Sequence, residues 1–188
     1  MAPSASAPIA PLRRWARFSP DRQHRYLLGR EIGKAQGDLL AGWQSPAGDG
    51  PLLFVMLNPG MADGRRDDPT IRRCIGFATA WGFTRLEVLN LYSQVCTDPD
   101  GLFDVPDPVG ERNDAWIKRC ARRASLVVCG WGAAGGRRGI ERAAEVVDML
   151  HAAGVRLHHL GLTASGLPRH PLYLPTDAFP TPWLGLVP

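Results

Sequence analysis

The chain has 188 residues, 45% of them hydrophobic and 21% charged, and a net charge of +4. That balance is the one expected of a single soluble domain with a real core, and no apolar stretch approaches the roughly 20 residues that cross a bilayer, so no membrane partner is expected. Arginine carries nearly all the positive charge, with Lys34 and Lys118 the two lysines; guanidinium forks suit phosphate, although a compositional preference for arginine would look the same.

Taken in chain order, residues 1–20 open on an Ala/Pro/Ser-rich run without an apolar signal core. They predict a disordered tail and, by default, a cytoplasmic location, with 21–188 as one domain. His24 to Ile32 and Leu39 to Trp43 predict an antiparallel hairpin. Leu52 to Leu57 is an unbroken apolar run, read as a strand buried on both faces and stopped by Asn58-Pro59-Gly60. A charged loop leads to Asp68-Pro69, an N-cap followed by Pro at the first helical position, and Ile71, Cys74, Ile75, Ala78 and Trp81 share one face of the helix that Gly82 ends. Leu86 to Tyr92 predicts the next strand, and an Asp/Pro-rich loop runs from Ser93 to about Val109. Gly110 to Ala124 reads as a helix and Leu126 to Cys129 as a buried strand ending at Gly130-Trp131-Gly132. Arg138 to Ala152 predicts a helix with Ile140, Ala144, Val147 and Leu150 (or Met149) inward, and Val155 to Leu162 a fourth strand; Thr163 to Pro188 reads as mostly irregular. The alternation predicts a three-layer α/β/α domain with a mainly parallel four-stranded central sheet and the early hairpin at an edge. Cys74, Cys96, Cys120 and Cys129 are too dispersed for a zinc site or an iron–sulfur cluster, so neither metal nor cofactor is expected.

Three strand ends carry polar or glycine-rich turns: Asn58-Pro59-Gly60, Gly130-Trp131-Gly132 and Thr163-Ala164-Ser165-Gly166. In a parallel sheet all three lie on one edge, where ligands bind. Asn58 can accept a hydrogen bond from a water through its amide oxygen but cannot take the proton, so it would position a nucleophile; the same residue also commonly turns a strand into a loop. Arg65 and Arg66, with Arg72 and Arg73, flank the first helix and are candidates for phosphate, yet Asp63, Asp67 and Asp68 lie among them and fit a solvated face of local ion pairs equally well. Their spacing matches no metal loop. Tyr92 and Trp131 are candidates for stacking on a base, against the plainer reading that both are core.

Phe54 to Gly60 resembles the first active-site motif of the uracil-DNA glycosylase superfamily, nearest its mismatch-specific branch, with Met56 where that branch has glycine. Val128 to Gly132 is similar to the superfamily's strand ending in a Trp-Gly turn, and Thr163 to Arg169 resembles its second motif; the likeness covers roughly residues 50 to 175. The whole chain also resembles a bacterial family catalogued as a domain of unknown function (family 1643), through its Leu-Asn-Pro turn, its Asp67-Asp68-Pro69-Thr70-Ile71-Arg72-Arg73 run and its late His170-Pro171-Leu172-Tyr173. The glycosylase resemblance implies that fold and hydrolysis of the N-glycosidic bond of a damaged or modified base, with Asn58 placing the water. Pro59, Gly60, Tyr92, Trp131, Thr163 and Ser165 would then line the base pocket, and DNA or a nucleotide would be the partner. The best-known branch opens its second motif on His, where this chain has Thr163; His170 is the nearby imidazole that could stand in, or a capping residue in a Pro-rich loop. Ser165 to Arg169 would be a wedge loop, with Gly166 allowing the turn, Leu167 entering the base stack and Arg169 meeting a phosphate, unless Leu167 packs inward. The alternatives are a binding module that has lost catalysis and an enzyme acting on a free or modified nucleotide.

Overall fold

A computed structural model of the protein describes residues 10–33, 48–96, 99–133 and 135–185. Its elements, in chain order, are β1 (Arg13–Phe18), β2 (Arg25–Glu31), β3 (Leu52–Met56), α1 (Pro69–Ala80), β4 (Arg85–Asn90), α2 (Asn113–Arg123), β5 (Leu126–Cys129), α3 (Gly136–Ala152), β6 (Leu157–His159) and β7 (Thr181–Trp183). Short 3-10 turns form at Pro99–Phe103 and Pro171–Tyr173. All seven strands join one sheet in the order β1-β2-β4-β3-β5-β6-β7. The middle four, β4-β3-β5-β6, are parallel, and the outer three pair antiparallel. A parallel core of four is therefore present as the sequence predicts, while the sheet is wider than predicted.

Strand β3 sits at the centre because it can be buried on both sides. Leu53, Val55 and Leu57 join the core cluster under α2 and α3, whereas Leu52, Phe54 and Met56 join the cluster under α1. Side chains alternate across a strand, so one uninterrupted apolar run serves both layers. Helix α1 starts as its sequence predicts: Asp68 Oδ1 accepts from the Ile71 N–H at 2.8 Å, and Pro69 fills the first turn. It ends where Gly82 takes φ of +76° and lets the Phe83 N–H reach the Ala78 carbonyl at 2.8 Å.

Four expectations need correction. The tail predicted over 1–20 ends earlier, since Arg13–Phe18 is β1 and pairs with β2 across the Ser19–His24 turn. The strand predicted at Leu39 to Trp43 lies outside the described residues; β1 is the hairpin partner of β2. Strand β6 is only three residues long, and β7 pairs with it from within the segment read as irregular. Ile140 is 45% exposed rather than inward, because Arg142 and Ala143 take the inward face of α3. Arg142 is held there by hydrogen bonds to the Leu91 carbonyl and to the Asp114 carboxylate.

Two buried charges tie the layers together. Arg30, fully buried in β2, donates from Nε to Asp67 at 2.6 Å and from Nη2 to the Asp63 and Arg66 carbonyls at 2.8 and 3.1 Å. Arg14 of β1 reaches the other oxygen of Asp67 at 3.1 Å. The loop that follows Asn58 is thereby pinned to the edge hairpin. On the other face, buried Glu87 of β4 accepts from Arg123 of α2 at 2.6 Å.

Candidate functional site

The carboxyl ends of β3, β4 and β5 open on a cleft of two adjoining cavities. The outer one, about 400 Å³, is lined by Met56, Leu57, Asn58, Trp131, Gly132, Ala133, Thr163, Arg169, His170 and Tyr173. The inner one, about 120 Å³, is lined among others by Arg25, Asn58, Asp68, Asn90, Cys96 and His170. Met56, Asn58 and His170 border both. Asn58 lies two residues beyond β3, where the chain leaves the sheet. Its Nδ2 donates to the Cys96 carbonyl at 2.7 Å and, more weakly, to the Pro59 carbonyl at 3.3 Å. The Cys96 N–H returns to the Pro59 carbonyl at 3.2 Å. The amide is thus fixed by its nitrogen, and its oxygen accepts no hydrogen bond among the described residues.

The Gly130-Trp131-Gly132 turn brings the late loop to β5. A side chain on Gly130 would meet Pro171 at 2.9 Å, and Gly132, at φ of +74°, donates from its N–H to the Pro168 carbonyl at 2.8 Å. This close approach, open only to glycine, sets His170 against the cleft. Trp131 is buried and packs edge-on to Trp183 at 5.5 Å, its indole N–H without a hydrogen-bond partner among the described residues. Tyr173 is 73% exposed at the mouth, 5.6 Å from the His170 ring.

His170 is a neutral acceptor here. Its Nδ1 accepts from the Leu172 N–H at 3.3 Å, and burial lowers its pKa, with Asp68 opposing. Burial likewise lowers His158 and His159, and His159 Nδ1 accepts from the Gly161 N–H at 2.9 Å. An imidazolium has no acceptor nitrogen, so protonation breaks both backbone contacts. Between the lowered folded pKa values and the unfolded value of about 6.5, the unfolded chain binds more protons, so stability rises with pH through that window. The urea midpoint is expected to be lower at about pH 5.5 than at about pH 7.5, and His159→Gln combined with His170→Gln should flatten the difference. Equal midpoints in the unaltered protein would contradict this.

Not every residue singled out in the sequence reaches the cleft. Asn58, Trp131, Thr163, Arg169 and His170 line the outer cavity and Gly60 the inner one. Pro59 contributes its carbonyl. Tyr92 lines neither cavity: it is buried in the core cluster under α2 and α3, edge-on to Phe103 at 5.3 Å, and its hydroxyl donates to the Arg138 carbonyl at 2.8 Å. Ser165 is exposed at the loop tip, 2.9 Å from the Thr163 hydroxyl, outside both linings. Leu167 is 5% exposed, not at an exposed tip as a wedge requires. The loop closes on itself: the Thr163 N–H meets the Leu167 carbonyl at 2.8 Å, the Leu167 N–H meets the Thr163 hydroxyl at 3.1 Å, and Gly166, at φ of +76°, makes the turn. Arg65 and Arg66 are exposed, their N–H groups held by Asp63 Oδ1 at 2.7 and 2.8 Å, and their side chains make no ion pair among the described residues.

The sequence reading missed Arg25, Asn90 and Tyr173. Asn90 carried a weaker signal than Asn58, a polar amide inside the run from Leu86 to Tyr92 rather than at its end. Arg25 carried none, because a cation in a short early strand reads as a solvated edge. Among the described residues no three His, Cys, Asp or Glu side chains gather as a metal would need, and no helix is long and apolar enough to cross a membrane. The four cysteines form no disulfide, and burial raises the thiol pKa values of Cys74, Cys120 and Cys129.

No curated protein and no solved structure matches the chain. A family model described as "Protein of unknown function (DUF1643)" matches residues 25–172, a span that runs from Arg25 past His170 and takes in every cavity residue except Tyr173. The chain belongs to that family.

Proposed function

We propose that the cleft holds a nucleobase and that the protein hydrolyses the N-glycosidic bond of a damaged or modified base, with Asn58 orienting the attacking water. The observation that carries this reading is the state of the Asn58 amide: its nitrogen is anchored to the Cys96 carbonyl and its oxygen is left as an acceptor in the wall common to both cavities. Met56, Leu57, Trp131 and Tyr173 supply apolar and aromatic walls for a planar ring, in a volume suited to a base and its sugar. The likeness of Asn58-Pro59-Gly60 and of Thr163 to Arg169 to glycosylase motifs supports the same chemistry and the glycosylase-like version of this fold.

Cleavage passes through an oxocarbenium-like state. An amide oxygen can hold and aim the water without removing its proton, which implies a modest rate. Buried Leu167 favours a substrate whose base is already unstacked, in a single strand or a free nucleotide, over one that must be levered from a duplex. Arg65, Arg66 and Arg169, whose side chains make no ion pair among the described residues, remain for a phosphate.

Base release from single- and double-stranded oligonucleotides carrying uracil, hypoxanthine, xanthine or mismatched thymine, and from the matching free nucleotides, tests the reading. Asn58→Ala is expected to lower kcat roughly 100-fold, the scale of a misplaced nucleophile, with binding and melting temperature nearly unchanged. An Asn58→Ala variant as active as the parent removes Asn58 from the mechanism. A second reading, binding without catalysis, is favoured by His170, whose Nδ1 is occupied by the Leu172 N–H; binding of these ligands with no base released would establish it.

A further inference from the structure

Strand β2 runs antiparallel to β4, so its first residue, Arg25, arrives at the edge where the parallel strands end. There it is 3% exposed. Nη1 donates to the Ala62 carbonyl at 2.6 Å, Nη2 lies 3.4 Å from Asn90 Oδ1, and Nε has no partner among the described residues. Arg25 makes no ion pair among the described residues, although a buried cation normally has one. The carboxylate that acts on it most, Asp68, holds backbone groups instead: Oδ1 accepts from the Ile71 N–H and Oδ2 from the Ala62 N–H at 3.3 Å. Burial lowers the Arg25 pKa to about 10, against the pull of Asp68, which leaves it a cation at neutral pH. Asn90 is 1% exposed; its oxygen is turned to Arg25 and its Nδ2 has no partner among the described residues. Two buried side chains, one of them charged, thus have donors unpaired among the described residues, and both residues line a cavity of about 120 Å³ that adjoins Asn58.

We propose that Arg25 and Asn90 form an acceptor subsite at the inner end of the cleft, which binds the oxygen-bearing edge of a heterocycle that carries or develops negative charge. The proposal deepens the reading given above and, for the reaction, rests on it. In base release the electron pair of the C–N bond departs with the base, the oxygen of the water takes its place on the sugar carbon, and the proton the water sheds neutralises the base. His170, neutral and engaged as an acceptor, cannot supply positive charge to the departing base. Arg25 can, from a fixed position and without a proton transfer. The nearby Asp68 keeps the net local charge small, so the neutral substrate enters without a large field and the pull grows as the bond breaks.

Calorimetric titration at pH 7 with two free pyrimidines of nearly equal size, neutral uracil and anionic barbiturate, tests the subsite directly. Barbiturate is expected to bind about tenfold tighter or more, the worth of one charge-assisted hydrogen bond, and the ratio should fall to about one in Arg25→Met. Arg25→Gln, which keeps hydrogen bonding without charge, serves if the Met variant does not fold. A ratio near one in the unaltered protein, or one that survives in either folded variant, overturns the proposal. Base release from the oligonucleotide panel is the second arm. Arg25→Met should slow the poorer leaving groups more than the better ones, a dependence that a merely structural change would not create. A uniform loss across leaving groups overturns the catalytic role. Barbiturate preference without any base release in the unaltered protein leaves the subsite standing and removes the glycosylase reading.

Discussion

Asp67→Asn is expected to destabilise the protein by about 3–5 kcal/mol, the cost of leaving one partner of a buried ion pair uncompensated. Arg30 is fully buried and Asp67 is its carboxylate, 2.6 Å away, with Arg14 on the other oxygen at 3.1 Å. Arg30 keeps its hydrogen bonds to the Gly29, Asp63 and Arg66 carbonyls in the variant, so the loss is one of charge compensation. Urea unfolding measures it, with the m-value as a check on two-state behaviour. Arg30→Met placed on the same background should recover part of the loss, because removing both charges is far less costly than stranding one. A loss under about 1 kcal/mol for Asp67→Asn would show that the carboxylate contributes no more than a surface pair does.

Phe54→Ala is expected to cost a similar amount, about 3–5 kcal/mol, through a different mechanism. Phe54 is fully buried at the centre of β3, and its ring lies 6.5 Å from Phe77 and 6.3 Å from Trp81, both of α1 and its cap. Truncation removes apolar burial and opens a cavity that the sheet on one side and the helix on the other cannot close. Phe54→Leu should be milder, since much of the volume is kept. The thermal or urea midpoint reads both. Equal effects from the two variants would mean that the layer under α1 relaxes around the site, contrary to its packing.

The central strands were legible because each is an apolar run too long for one face and too abruptly ended for a helix. Leu52 to Leu57 gave up its position, its two-sided burial and its exit at Asn58 from sequence alone. Helix α1 was equally plain, as Asp68, Pro69 and Gly82 act through local backbone chemistry that needs no partner. The flanking strands were not legible for the opposite reason. β1 is half arginine and only partly buried, and β7 is three residues long with two of them exposed; both exist because a formed sheet edge offers hydrogen bonds, a cause absent from their own composition. Ile140 misled because Arg142, an inward cation satisfied by Asp114, breaks the apolar period of α3. In the cleft, Asn58, Trp131, Thr163 and His170 could be brought together because parallel strands share one exit edge. Arg25 could not, since it arrives on an antiparallel strand whose neighbour in the sheet is β4, a pairing no local pattern encodes. Leu167 read as a tip because Gly166 and Pro168 bracket it, and only the closure of the loop through Thr163 turns it inward.

The two ends of the sheet also decide how this molecule meets copies of itself. At one end stands β1, with Arg13, Arg14 and Arg17 along its length; at the other stands β7, short and carrying Pro182, which has no N–H to offer. A row of like charges repels a second such strand, and a proline interrupts the ladder a newcomer would need. Each end is closed by the chemistry of its own strand, so lengthening of the sheet from chain to chain, the ordinary route to fibrils for an open β-edge, is disfavoured at both.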